Sequence, residues 1–275
     1  MAKLKTRLDA ISDVLSNRHR DEKMRHALEV LRDNPRQMFP LLGMDCDAWQ
    51  LNLMKKLAGE ECEPIKRAVI ACGRQVGKTA LLSVYGAYAT MCEGKTVAVS
   101  APSFRQSLEL SQKIRRIIQR FNLVSIMKDA VIDLRLSNGG RLVALPPSGT
   151  GRGFTLDALL VDEAAFLGER SDLIEALTPA LALSDGQLIL TSSPGPPMGL
   201  LFQAWGSKNW HKTKVRCDEC KRISPEFLAQ QRELLGEDAY KREFEAEFVD
   251  MGGSLITAES IDGCASSYAT EWLSI

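Results

Sequence analysis

Two hydrophobic periods alternate along this chain. Leu4, Leu8, Ile11, Val14 and Leu15 share one face at helical spacing. Ala27, Leu28, Val30 and Leu31 resume the pattern after the charged run Arg18 to Arg25. Residues 1 to about 32 therefore read as helix, with the charged run a solvated face or a helix–helix break, and Asn34-Pro35 stops it. A second helix is predicted over 45–58, with Asp45 or Asp47 as N-cap and Trp49, Leu51, Leu53, Met54 and Leu57 apolar. On spacing alone, Gln50 within it reads as a surface glutamine beside a core tryptophan.

From residue 68 the pattern changes to short, mainly apolar runs separated by amphipathic stretches. The runs are Ala68 to Ala71, Thr96 to Ser100, Ala158 to Val161 and Gln187 to Thr191. Between and after them lie helical patterns that include Leu81, Leu82, Val84 and Tyr85, then Phe104 to Phe121, Leu173 to Leu183 (interrupted by Pro179) and Leu200 to Trp205. Buried strands alternating with helices predict an α/β fold with a largely parallel sheet. One hairpin is predicted, 131–136 with 141–145, joined by Ser137-Asn-Gly-Gly. Basic residues Lys113, Arg115, Arg116 and Arg120 on the 104–121 helix read as a solvated face. Ser224-Pro225 opens a further helix. Another, over 238–248, carries Tyr240, Phe244 and Phe248 as a core stripe, and residues 251–275 read as a linker or edge strand. The division expected is a helical region over 1–44, a nucleotide-binding domain over 45–250 and a linker over 251–275.

Composition narrows the function classes. Of 275 residues, 45% are hydrophobic and 25% charged, with formal net charge zero. A chain of this kind folds around a sizeable core, and no overall basicity marks it for nucleic acid. No apolar run approaches a membrane span, and the basic start Met1 to Arg7 precedes no apolar segment, so a cytosolic protein is expected. Seven scattered cysteines do not form a disulfide framework. Cys217-Asp-Glu-Cys220 is a single CxxC; zinc needs a second ligand pair, and His211 is the one nearby candidate, so a zinc site is disfavoured.

The chemistry concentrates at two strand ends. Gly73, Arg74, Gln75, Val76, Gly77, Lys78 and Thr79 follow the first apolar run and precede a helix, the setting of a phosphate-binding P-loop. In such a loop the backbone N–H groups cradle a triphosphate, Lys78 reaches its β and γ phosphates, and the Thr79 hydroxyl ligates Mg²⁺. The consensus places a glycine where this chain has Cys72, with Gly73 one position later. Downstream, an apolar strand ends in Asp162-Glu163, which suits a Mg²⁺-holding acid followed by a general base that polarises the attacking water. Thr191, Ser192 and Ser193 end the next strand, where hydroxyls can sense a γ-phosphate or serve simply as turn residues. Taken together these features predict hydrolysis of a nucleoside triphosphate.

The sequence from about Asp47 to Gly252 resembles the ATPase domain of the large terminase subunit, the DNA-packaging motor of tailed bacteriophages. The resemblance rests on Trp49-Gln50, the P-loop with Arg74 just inside it, Ala101-Pro-Ser-Phe-Arg-Gln106, Gly151-Arg152-Gly153, Leu160-Val-Asp-Glu-Ala-Ala-Phe, Thr191-Ser-Ser193 and the stretch Glu243 to Asp250. It implies an ASCE-type P-loop NTPase fold, with a small helical N-terminal or lid region. It implies ATP and Mg²⁺ as cofactors, Gln50 at the adenine and Arg74 at the γ-phosphate or the lid. Arg152 becomes a trans-acting arginine finger, and Thr191, Ser192 and Ser193 couple hydrolysis to movement. The partners implied are double-stranded DNA, a portal protein, a small terminase subunit and further copies in a homo-oligomeric ring, in the host cytoplasm and with no membrane. Members of this family carry a C-terminal nuclease domain with an acidic metal cluster; none follows Gly252, so no DNA cleavage is expected from this chain. The alternatives are another DNA-dependent P-loop NTPase or helicase-like translocase, and an ATP-gated scaffold without turnover.

Overall fold

The computed structural model describes residues 21–60, 62–147, 155–167 and 172–249. Residues 21–33 form helix α1, which stops ahead of Asn34-Pro35. A 3-10 turn (Pro35–Gln37) leads into α2 (Met38–Leu41), and α3 (Ala48–Ala58) follows with Asp47 as its N-cap. Then come β1 (Arg67–Cys72), α4 (Lys78–Met91), β2 (Thr96–Ser100) and α5 (Phe104–Phe121). A meander of β3 (Ile126–Ala130), β4 (Asp133–Leu136) and β5 (Arg141–Ala144) precedes β6 (Ala158–Val161), α6 (Asp172–Ala182) and β7 (Gln187–Ser192). The described chain ends with α7 (Gly199–Gly206), β8 (His211–Val215), α8 (Pro225–Leu235) and α9 (Glu237–Phe244). The expected helix over residues 1–20 and the expected linker over 251–275 lie outside the described residues.

Among the described residues the strands form one eight-stranded sheet in the order β3-β4-β5-β2-β6-β7-β1-β8. Six neighbours, from β5 to β8, run parallel, and β4 is antiparallel to both β3 and β5. Side chains alternate across it. Ala68, Ile70 and Cys72 of β1 face a core shared with α3, α4 and α5, while Val69 faces α6 and α7. Burial on both faces is why the central strands read as continuous apolar runs. β7 lies between β1 and β6, so all three C-terminal ends open on one rim of the sheet. That rim is where ligands bind in open α/β sheets.

The α/β reading and the largely parallel sheet hold. Three local readings change. Arg115 is not part of a solvated face: it is 8% exposed and bonds Asp129 and the carbonyls of Ala130 and Val131. Phe248 is not on the Tyr240–Phe244 stripe. Those two rings stack at 5.2 Å on α9, whereas Phe248 lies past the helix end against Phe202 and Trp205. The first hairpin strand begins at Asp133, leaving Val131 and Ile132 exposed.

Candidate functional site

The loop after β1 is shaped by two residues with left-handed backbone, Gln75 (φ 61°) and Gly77 (φ 94°). Gly77 caps α4, so the helix N-terminus opens at Lys78, while the N–H groups of Gly73 and Arg74 are held by Val215 O and Glu243 O. The displaced glycine has a steric reason. A Cβ on Gly73 would lie 2.4 Å from Cys217 Sγ, 3.0 Å from Phe244 O and 3.2 Å from Glu243 O, so position 73 admits only glycine without rearrangement. Position 72 belongs to the strand, where the Cys72 side chain is a buried core group. Burial pushes its thiol up to about 12, with Lys78 only partly opposing, so it is neutral at pH 7.

Two acids close on this loop from β6. Thr79 Oγ1 donates to Asp162 Oδ2 at 2.8 Å, and Thr191 Oγ1, from the neighbouring β7, donates to Asp162 Oδ1 at 2.9 Å. Both carboxylate oxygens are thus aimed by hydroxyls from flanking elements. Glu163 is a non-glycine residue at φ 53°, ψ 42°. Such backbone costs about 1–3 kcal/mol and persists where surrounding contacts hold it. Here Lys78 Nζ lies 3.1 Å from Glu163 Oε1, and Ser192 Oγ donates to Glu163 Oε2 at 3.2 Å. Burial works against the Lys78 ammonium, yet the charge of Glu163 and its hydrogen bond keep the pKa above the ordinary lysine value. Ser193 is buried at the same strand end. Thr79 and Asp162 present hard oxygen donors that converge on one point, a set that suits Mg²⁺.

Two other predicted residues adopt contacts that the sequence did not foretell. Gln50 is 2% exposed, not a surface residue. Its Oε1 accepts from Asp47 N at 2.8 Å, closing a capping box on α3, and its Nε2 donates to Gly77 O at 3.0 Å. Arg74 is exposed at the loop and pairs through Nε with Glu243 Oε2 at 2.7 Å, while its N–H donates to Glu243 O at 2.7 Å. Arg152 lies outside the described residues. Sequence reasoning missed Arg222 altogether. Its Nη2 bonds Asp47 Oδ2 at 2.7 Å and Val76 O at 3.3 Å, a placement that no local pattern around Lys221-Arg222 announces.

A parallel α/β sheet with a helix-capping glycine loop facing an Asp-Glu strand end defines a P-loop protein. The family described as terminase large subunit, T4likevirus-type, N-terminal, matches residues 69–262, and this chain belongs to that family. Among solved structures, the ATPase domain of the Thermus phage P74-26 large terminase superposes with TM-score 0.61 at 22% identity, over 77% of this chain and 97% of that one. A large terminase from a thermophilic bacteriophage, in complex with ADP, gives 0.60 at 15% identity over 74% of this chain and 53% of its own. The HK97 bacteriophage large terminase gives 0.60 at 16% over 73% and 50%. At these identities the likeness establishes the fold. The chain thus spans about half the length of the two longer terminases. Over 106 residues it is also 31% identical to the tRNA(Met) cytidine acetyltransferase TmcA of Haloferax volcanii, covering 38% of this chain and 14% of that protein.

Proposed function

We propose that this chain hydrolyses ATP with Mg²⁺ and that the energy drives double-stranded DNA into a viral procapsid. The observation that carries the reading is the convergence of Lys78, Thr79, Asp162 and Glu163, from two strand ends, on one rim of the sheet. The N–H groups from Gln75 to Thr79 receive the triphosphate, and Lys78 leaves Glu163 for the β and γ phosphates. Thr79 and Asp162 hold the magnesium ion, which when bound neutralises phosphate charge. Glu163, released from the ammonium and still held by Ser192, accepts a proton from the attacking water. Thr191 and Ser192 touch Asp162 and Glu163 directly, so loss of the γ-phosphate can pass from the acids into β7. Arg74 exchanges Glu243 for the γ-phosphate, and Gln50 meets the adenine by giving up part of its present bonding. Arg152 supplies a finger to the neighbour's site in a ring of identical subunits. The ATPase unit spans 45–250, and its partners are a portal protein, a small terminase subunit and DNA, in the host cytoplasm.

The test is ATP hydrolysis with and without double-stranded DNA, at several protein concentrations. A specific rate that climbs with concentration and with DNA supports a motor assembled from copies of this chain. A rate stimulated only by single-stranded DNA, with strand separation, supports a helicase instead.

A further inference from the structure

A phosphate-binding loop turns its N–H groups toward the anion, so its carbonyls face outward and need donors from elsewhere. In this chain two of those donors come from the turn over 217–222. Cys217 Sγ lies 3.1 Å from Arg74 O, and Arg222 Nη2 donates to Val76 O at 3.3 Å. The same Arg222 nitrogen pairs with Asp47 Oδ2 at 2.7 Å, which ties the turn to the N-cap of α3. From that cap Gln50 Nε2 reaches Gly77 O at 3.0 Å. Cys220 Sγ lies 3.9 Å from Arg216 O and keeps its contact within the turn itself. The fit is tight, because Cys217 Sγ occupies the space that any side chain at position 73 would need.

We propose that the Cys217–Arg222 turn is a brace that holds the phosphate-binding loop in its anion-receiving shape, with Cys217 and Arg222 as positioning residues. The proposal rests on the nucleotide-binding reading of the loop. It gives the CxxC a role that uses the Cys217 thiol as a donor. Burial pushes Cys217 up to about 12 and Cys220 up to about 11, so both carry their protons at pH 7. It also explains why the chain sets its glycine at 73: the brace and the glycine are two halves of one contact. A guanidinium suits the Arg222 position because one planar group serves a carboxylate and a carbonyl together.

The experiment measures ATPγS affinity by calorimetry, and KM and kcat for ATP, on the full chain. Arg222→Ala raises Kd and KM on the order of tenfold while kcat changes much less, because the chemistry at Glu163 is untouched. Arg222→Lys recovers part of the affinity, since a point charge meets one acceptor at a time. Cys217→Ala, which deletes the donor to Arg74 O, raises Kd by a few fold, and Cys217→Ser, which keeps a donor there, recovers most of the affinity. If Arg222→Ala fails to fold, the lysine variant and the Cys217 pair still decide. Wild-type affinity in Arg222→Ala, or equal affinities in Cys217→Ala and wild type, overturns the brace. Absence of ATPγS binding by the wild-type chain overturns the nucleotide reading itself.

Discussion

The Lys78 ammonium is held 3.1 Å from Glu163 Oε1, the carboxylate to which we assign activation of water. The two groups neutralise each other in a half-buried setting, where a charge pair is screened less than in bulk water. Nucleotide binding must therefore exchange one anion for another around Lys78. Glu163→Gln removes the competing charge but keeps the shape. It is expected to bind ATPγS at least as tightly as wild type while turnover falls by about 10²-fold or more. Calorimetry beside a phosphate-release assay checks both halves; a parallel loss of affinity and rate in this variant counts against the exchange.

Asp162 is aimed by two hydroxyls, and only one of them comes from the nucleotide loop. Asp162→Asn and Thr79→Ala should each raise the Mg²⁺ concentration needed for half-maximal hydrolysis, because each removes an oxygen donor of the expected set. A magnesium titration at fixed ATP reads this out. An unchanged midpoint in both variants would place the metal elsewhere.

Thr191 is fully buried, and its bond to Asp162 crosses from β7 to β6. Thr191→Val keeps the volume and deletes the donor to a charged acceptor, at a cost of about 1.5–3 kcal/mol. Urea denaturation is expected to show that loss. The hydrolysis rate should fall too, with KM for ATP little altered. A variant as stable as wild type would mean that the hydroxyl bond contributes nothing.

Away from the site, Asp133 receives Lys128 and Arg141 at 2.8 Å and Arg135 at 3.3 Å. Burial alone would raise its pKa, but the hydrogen bonds of Arg141 and Lys128 and the charges of Arg141 and Arg135 prevail and bring it from the usual 3.8 to about 2. A depressed folded-state pKa means stability that is present above about pH 4 and lost as pH falls toward 2, worth roughly 1 kcal/mol after screening. Thermal melts across that window should slope downward for the wild type and less steeply for Asp133→Asn. Equal slopes would show that the cluster is solvated in solution.

The sequence revealed most where burial is two-sided. β1, β2, β6 and β7 were legible because each is a mainly apolar run buried on both faces, and α5 because its apolar residues fall at helical spacing. β3 and β8 were not legible. Ile126 to Ala130 is exposed and sets Lys128 beside Asp129, and His211 to Val215 alternates but offers only Val215 as an apolar inward residue, as suits charged sheet edges that must not pair with strangers. The same split runs through the site. Lys78, Thr79, Asp162 and Glu163 sit in local strand–turn settings that a linear reading can find. Gln50, Cys217 and Arg222 reach the loop through tertiary contacts, and Arg222 meets Val76 across 146 residues of chain. No local period encodes a contact of that kind.

The central claim, that these four residues make an ATP-hydrolysing site, is tested most directly by phosphate release from the wild-type chain, Lys78→Ala and Glu163→Gln at saturating ATP and Mg²⁺. Steady release by the wild type, with both variants near background, is the predicted result. Full activity in both variants would contradict it.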